Sequence, residues 1–375
     1  MIRVNAITLL NYLVSGSLTL LIPLLLLQRG FNIAEIGMVL SILPIVFLVS
    51  RLIFAAVADY IGWSHVFTLI NWPSTVLSCV IYYFAVSLPF FAVGKILESL
   101  RESSYWAVSR TAIYKLSPKK AGNEATRNNA TIWLGTAIGS AVAGLSIAAI
   151  GFNSTIATLT VISLFIGIPA LMLWKSSSKI PITKDAHVFA PLDPRGRPRM
   201  FWLVSIAIMF NSLAIYPLIT LLLPAFMDQQ LHFSYLTIGI LFMMYNVISA
   251  LATYATFKQA LNYRRAIILS VLSIGASLFL GEPTFFFIAC LVILAFVRGY
   301  GIGFFEHTVL KVSKESTNLC VDIGLLHVPM RIAEFASLLT LGFVAQYLGY
   351  TFVFLLTGIF FAIYAFFSLA LLKYE

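Results

Sequence analysis

The sequence contains 375 residues, of which 60% are hydrophobic and only 10% are charged, and its formal net charge is +10. A soluble domain carries about 25% charged residues, so this composition excludes a water-soluble protein. The positive charge falls in connections between apolar runs rather than on one polar face, and we therefore expect no nucleic-acid partner.

Apolar runs of about 20 residues follow one another along the chain, each long enough to cross a bilayer as a helix. They predict an all-α membrane protein with twelve transmembrane helices, near residues 6–28, 36–58, 66–87, 89–113, 127–150, 153–174, 200–226, 234–257, 266–281, 284–310, 321–347 and 350–372. A polar, proline-rich segment at 175–199 predicts a cytoplasmic linker between an N-terminal six-helix bundle (1–174) and a C-terminal one (200–375).

The basic residues of the predicted loops lie almost entirely on one side. Seventeen of the 24 Lys and Arg residues fall on the side of the N-terminus, only Arg29 falls on the other side, and six fall within predicted helices. Cytoplasmic loops carry the excess of Lys and Arg. The sequence therefore predicts that both termini are cytoplasmic in a multi-pass protein of the cell membrane.

The two predicted bundles resemble each other in sequence. AIYKLS at 112–117 matches TVLKVS at 308–313, and IGF at 150–152 matches LGY at 348–350, at offsets near 197 residues. This repeat predicts two six-helix halves related by a pseudo-two-fold axis. Parallel repeats of this kind are used by transporters, with the substrate site near the bilayer midplane.

A short motif after the second predicted helix links the chain to a known family. AAVADYIGW at 55–63 resembles the signature Gly-x-x-x-Asp-(Arg/Lys)-x-Gly between helices 2 and 3 of the major facilitator superfamily. Asp59 and Gly62 match it, whereas Ala55 and Tyr60 replace its first Gly and its basic residue. The resemblance implies secondary transport by alternating access, with Asp59 and Gly62 in conformational gating.

Charged side chains inside predicted helices indicate where a polar solute passes. Each costs about 2.5–3.5 kcal/mol near the bilayer centre on insertion scales, so such helices cannot turn these groups to lipid. The fourth helix carries four of them within about 120° of arc, whereas the third, sixth, ninth and twelfth carry none. The candidate substrate-binding and coupling residues are Lys95, Glu98, Arg101, Glu102, Tyr105, Asn246, Arg298, Arg331 and Glu334.

A structural alternative exists for the charged residues, because several are i,i+3 neighbours that could simply neutralise each other. The fifth helix likewise permits two interpretations. Its glycines Gly135, Gly139 and Gly144 resemble a motif of family antiporters, but small residues at this spacing also let helices approach closely.

These features together predict a secondary active transporter for a small polar or amphiphilic solute. Six basic residues against four acidic ones within the helices favour an anionic or zwitterionic solute, and Glu98, Glu102 or Glu334 could couple transport to protons. A transport-inactive sensor or scaffold, or a lipid-handling protein on the same fold, is the alternative. The expected partners are a small-molecule substrate, protons and the lipid bilayer, for a monomeric protein.

The sequence gives no sign of catalytic chemistry. No HExxH, GxSxG or phosphate-binding loop occurs, and the three cysteines lie far apart in or beside apolar runs. We therefore expect neither an enzyme activity, nor a metal ion, nor another cofactor.

Overall fold

A computed structural model describes residues 1–177, 197–256, 263–282, 284–313 and 325–373. Helices fill nearly all of these ranges, and they form twelve consecutive segments that we number α1 to α12. Most are single helices: α1 (Ile2–Gln28), α2 (Ile33–Ile61), α4 (Leu88–Leu116), α8 (Tyr235–Thr256), α9 (Tyr263–Leu278), α10 (Thr284–Ser313), α11 (Val328–Leu348) and α12 (Tyr350–Lys373). The predicted all-helical membrane fold is confirmed.

The remaining segments contain local irregularities. In α3 (Trp63–Val66, Phe67–Asn71 and Trp72–Phe84) and α7 (Arg199–Pro217, Leu218–Leu222 and Leu223–Gln229), the middle piece is a π-helical turn. One continuous helical stretch contains both α5 (121–150) and α6 (152–165, continued by Gly167–Ser177), which separate at Gly151. Among the described residues, eight helical stretches have the length and apolar composition needed to cross a membrane. One of the eight is Arg127–Lys175, which contains most of α5 and nearly all of α6.

The helical path of the eleventh segment is interrupted near its start. The apolar run predicted a helix from residue 321; residues 325 and 326 are helical, His327 forms a turn, and α11 begins at Val328, while residues 314–324 lie outside the described ranges. Pro329 occupies the first turn, where its missing N–H costs nothing and its fixed φ favours a helix start. Arg331 and Glu334 lie in the first two turns after this interruption.

The chain divides into two compact units, each with its own apolar core. Unit 1 contains Met1–Leu26, Ile42–Phe189 and Phe233–Met243, and unit 2 contains Leu27–Ser41, Ala190–His232 and Met244–Glu375. Val4, Phe67 and Tyr105 belong to a buried cluster in unit 1, while Phe201 and Leu326 belong to one in unit 2. Each unit therefore includes one short helical segment from the other half of the sequence.

The repeat seen in the sequence is also present in the backbone. Gly151 ends α5 with φ 79° and ψ 172°, and Gly349 ends α11 with φ 83° and ψ 169°. Residues with a side chain rarely adopt this positive φ, which explains the glycine at both repeat positions. The turns after α1 and α7 also match, since Gly30 has φ 84° and His232 has φ 50°.

Close packing of α1 on α5 explains the glycines of the fifth helix. A Cβ atom on Gly135 would lie 2.8 Å from the carbonyl oxygen of Leu9, and one on Gly139 would overlap the carbonyl oxygen of Leu13. The Ser17 hydroxyl donates a hydrogen bond of 2.8 Å to the Gly139 carbonyl across the same contact. These two glycines thus let the backbones of α1 and α5 approach closely, as the packing interpretation predicted.

Replacing Gly139 by alanine should destabilise unit 1. The added methyl group has no space against α1, and overpacking of this kind costs about 1–3 kcal/mol. We expect Gly139→Ala to lower the midpoint of thermal unfolding in detergent. The matched control is Gly275→Ala in α9, where a Cβ atom meets nothing within 4 Å. An unchanged midpoint in Gly139→Ala would contradict the tight α1–α5 contact.

Candidate functional site

Three charged side chains of α4 form a buried cluster in unit 1. Lys95, Glu98 and Arg101 are 3%, 2% and 1% exposed, respectively. The Lys95 ammonium donates a hydrogen bond of 2.8 Å to Glu98 Oε2, and Arg101 Nη2 lies 3.6 Å from Glu98 Oε1. Their i,i+3 spacing places them on one side of the helix, and the carboxylate between two cations offsets much of the cost of burying them.

Tyr82 of α3 completes the surroundings of Glu98. Its hydroxyl donates a hydrogen bond of 2.8 Å to Glu98 Oε2, and the Lys95 ammonium lies 6.0 Å from the centre of its ring. A Cβ atom on Gly94 would overlap that ring, so the glycine lets α4 approach α3 at this point. The charged cluster therefore fixes α3 against α4.

Arg101 is held by hydrogen bonds to α1 and α3. Its Nη1 donates to the Asn11 carbonyl oxygen at 3.2 Å, and its Nη2 donates to Ser15 Oγ at 3.1 Å. The backbone carbonyl of Arg101 in turn accepts hydrogen bonds of 2.8 Å from Asn71 Nδ2 and from Ser104 Oγ. The arginine thus joins α1, α3 and α4, and its side chain is fixed in position.

Tyr105 lies in a second polar network, which joins α1, α4 and α5. The Thr8 hydroxyl is 2.9 Å from the Tyr105 hydroxyl and 2.8 Å from Asn128 Oδ1, and Asn128 Nδ2 donates to the Tyr105 hydroxyl at 2.9 Å. If Tyr105 donates to Thr8 and Thr8 to Asn128, the three groups close a ring in which each donates once and accepts once. Thr8 and Asn128 were not predicted as site residues, although both are polar positions within apolar runs.

Glu102 differs from its charged neighbours on α4. It is only half-buried, and it forms no hydrogen bond or ion pair within the described part of the chain. Residues Glu98, Tyr105 and Ser109 lie within about 60° of it around the helix and are buried, whereas Val93, on the opposite side, is 44% exposed. Glu102 therefore lies on the buried side of α4, with part of its side chain still accessible.

A separate ion pair is formed in unit 2. Arg331 Nη1 donates a hydrogen bond of 2.7 Å to Glu334 Oε2, and the Ser212 hydroxyl of α7 donates one of 2.5 Å to Glu334 Oε1. Glu334 is 3% exposed. This contact fixes the first two turns of α11 against α7.

Arg298 lies at the middle of α10, also in unit 2. Its guanidinium carbon is 5.4 Å from the centre of the Tyr245 ring on α8, within the range of a cation–π contact. Arg298 is half-buried, whereas Tyr245 and its neighbour Asn246 are each 3% exposed. The Thr253 hydroxyl donates to the Gly299 carbonyl at 2.9 Å, so α8 and α10 are in direct contact beside Arg298.

The two predicted gating residues lie at or beside the turn between α2 and α3. Gly62 has φ 95° in the turn between α2 and α3. Asp59 lies in the last turn of α2, and its side chain is outside the described part of the structure. Arg51 of α2 was not among the predicted site residues, but it is half-buried at mid-helix, with its guanidinium carbon 5.9 Å from the centre of the Phe47 ring. Its charge within an apolar run was the signal available in the sequence.

The chain is similar to known proteins in sequence family and in fold. The sequence model of the Major Facilitator Superfamily matches residues 4–310. The crystal structure of nucleoside transporter NupG is similar over 100% of this chain and 99% of its own, with a TM-score of 0.73 and 15% identity. A bacterial homolog to the human lysosomal transporter Spinster covers 99% of this chain and 96% of its own, with a TM-score of 0.69 and 14% identity. No curated protein sequence matches this chain.

The Lys95–Glu98 pair should contribute to stability, while Glu102 should not. Removing one partner of a buried ion pair leaves an uncompensated charge and costs about 3–5 kcal/mol. We expect Lys95→Met to lower the unfolding midpoint in detergent, and the double variant Lys95→Met/Glu98→Gln to recover part of the loss. Glu102→Gln is the matched control on the same helix and should leave the midpoint unchanged. Equal losses in Lys95→Met and Glu102→Gln would contradict this separation of roles.

Proposed function

Because the chain belongs to the major facilitator superfamily and is a multi-pass membrane transporter, we propose that it moves a small polar or amphiphilic solute by alternating access, driven by protons. The proposal favours an anionic or zwitterionic solute. It is supported most directly by the half-buried carboxylate of Glu102 on the buried side of α4.

The three predicted carboxylates have different surroundings, which favour different roles. Glu98 lies between Lys95 and Arg101 and accepts a hydrogen bond from Tyr82, so neutralising it would leave buried cations without compensation. Glu334 is fixed by Arg331 and Ser212. Glu102 is accessible, and no ion pair within the described residues must break before it takes up or releases a proton. We therefore assign proton coupling to Glu102.

The fixed cluster beside Glu102 has a supporting role in this proposal. Lys95, Glu98 and Arg101 hold α4 against α1 and α3, so that Glu102 is presented at a constant position. The ring formed with Tyr105 holds the next turn of the same helix. At the end of α2, we assign conformational gating to Asp59 and Gly62, as the family resemblance implies.

Glu102→Gln should abolish proton coupling while leaving the protein folded. The assay uses proteoliposomes containing a pH-sensitive dye, to which a nucleoside, a hexose, a neutral amino acid or a monocarboxylate is added. We expect at least one of these solutes to move protons with the wild-type protein, and at least a tenfold smaller signal with Glu102→Gln, because the amide cannot exchange a proton. Glu282→Gln, at an exposed carboxylate between α9 and α10, is the control.

The outcomes separate the proposal from its alternative. If Glu102→Gln moved protons as well as the wild-type protein does, a residue other than Glu102 would couple protons to transport. Binding of a solute, seen as a higher unfolding midpoint, without any flux would favour the transport-inactive sensor. A panel with neither binding nor flux would remove the support for transport of these solute classes.

We also propose a cell-membrane location with both termini cytoplasmic, on the evidence of the basic loop residues. The test labels single cysteines with a membrane-impermeant maleimide, after replacement of Cys79, Cys290 and Cys320. We expect Glu282→Cys to react in intact cells, and Lys119→Cys to react only after permeabilisation, since both positions are exposed. The reverse pattern would overturn the orientation.

A further inference from the structure

We propose that buried water is bound inside unit 1, between Arg101 and Glu98 of α4 and the side-chain oxygens of Asn11 and Asn71. In this site the water joins α1, α3 and α4 through hydrogen bonds that the protein groups do not make directly. Such a site goes beyond the proposed function, because its water binds whether or not the chain transports a solute.

Three polar atoms in this region are buried without a hydrogen-bond partner among the described residues. They are Arg101 Nε, Asn11 Oδ1 and Asn71 Oδ1, and their residues are 1%, 2% and 0% exposed, respectively. Every side chain of α1, of α3 and of α4 up to residue 109 is described. Buried polar groups in folded proteins almost always bond to protein or to ordered water, since an unsatisfied one is costly. The three atoms therefore indicate a polar partner other than these helices.

Hydrogen bonds to Arg101 bring both asparagines to the same place. Arg101 Nη1 donates to the Asn11 carbonyl oxygen at 3.2 Å, and Asn71 Nδ2 donates to the Arg101 carbonyl oxygen at 2.8 Å. Because the Oδ1 and Nδ2 atoms of an amide share one carbon, Asn71 Oδ1 lies within a few ångströms of Arg101. The atoms without a partner thus lie on and beside one arginine, at the contact of three helices.

The ion pair between Glu98 and Arg101 is too long for a direct hydrogen bond. Glu98 Oε1 lies 3.6 Å from Arg101 Nη2, whereas N–H···O bonds extend to about 3.2 Å. The hydrogen bonds that Glu98 accepts from Lys95 and Tyr82 both go to its other oxygen, Oε2. Nε shares an edge of the planar guanidinium with Nη2, the nitrogen nearest to Glu98. A polar contact across this distance is typical of a bridging water.

The mixture of groups favours water over an ion. Arg101 Nε can only donate a hydrogen bond, while Glu98 Oε1 and the two asparagine oxygens can only accept one. A cation would suit the oxygens but would be repelled by Arg101 and Lys95, and an anion would be repelled by Glu98. Water is neutral, and each molecule donates two hydrogen bonds and accepts up to two. It is the ligand that matches both kinds of group.

Two water molecules satisfy all four atoms. The first accepts a hydrogen bond from Arg101 Nε and donates to Glu98 Oε1 and to Asn11 Oδ1. The second donates to Asn71 Oδ1 and to the oxygen of the first, so that every hydrogen of both molecules is used. Glu98 is then bonded directly to Lys95, at 2.8 Å, and through water to Arg101. The same water connects the charged cluster to α1 and α3.

Radiolytic labelling of the detergent-purified full chain tests for this water in solution. Brief X-ray irradiation splits water where it is bound, and the resulting hydroxyl radicals modify the side chains beside it. Tyr82 donates to Glu98, whereas Tyr105 belongs to the network with Thr8, and both tyrosines are 0% exposed. We expect Tyr82 to be modified several-fold faster than Tyr105, the matched control. Equal protection of the two tyrosines would overturn the inference.

Asn11→Leu distinguishes bound water from an unsatisfied amide. The side-chain amide of Asn11 forms no hydrogen bond with the described residues, and leucine has nearly the same shape. With water bound, leucine removes one of its acceptors, so we expect slower modification of Tyr82 and an unfolding midpoint lower by a few degrees. Without water, leucine replaces an unsatisfied polar group, and the midpoint should stay or rise. That result, with unchanged Tyr82 modification, would overturn the inference.

A second variant and a direct observation guard against a folding defect in Asn11→Leu. Asn11→Ala leaves space for another water in place of the amide, so Tyr82 should still be modified, and its protection there would contradict the site. A structure of the wild-type protein at a resolution that shows water should contain density within about 3.2 Å of both Arg101 Nε and Glu98 Oε1. Direct contact between these two atoms, without such density, would overturn the inference. None of these measurements requires transport, so their failure leaves the proposed function standing.

Discussion

The structure depends on how the charges of α4 are neutralised inside a membrane. Lys95, Glu98 and Arg101 would each cost several kcal/mol in hydrocarbon, and only contacts with one another and with neighbouring helices offset that cost. Tyr82 brings α3 to this cluster, while Asn11 and Ser15 bring α1. The requirement to satisfy these groups therefore fixes which side of α4 is buried, and the position of Glu102 follows from it.

The two halves have the same backbone conformation at corresponding turns, but they differ in their charged residues. The positive φ values of Gly151 and Gly349 end α5 and α11 in the same way. The charged positions have diverged, since Glu98 corresponds to Ala295, and the buried pair of the second half is on α11 rather than on α10. Turns and close helix contacts constrain the backbone, whereas the inward positions were free to change with the role of each half.

Most of the fold could be predicted from the sequence, because apolar length and the charges that interrupt it are properties of single segments. The interruption at His327 could not, since the run from residue 321 is apolar and only Pro329 marks the new helix start. The site was predicted in part. The i,i+3 pairs were visible within one helix, but Tyr82, Thr8 and Asn128 contact their partners across helices, and such contacts depend on helix rotation and depth, which a one-dimensional pattern does not contain.

The one-residue turns at Gly151 and Gly349 have a practical consequence for imaging. If each helix crosses the membrane once, the turn after every odd-numbered helix lies on the same face, and these turns are one to five residues long. A chain of 41.5 kDa with so little polypeptide on that face offers almost no epitope there. Antibody fragments or fused markers for particle alignment in electron cryomicroscopy should therefore be directed to the opposite face, which carries both termini and the connection between the two halves.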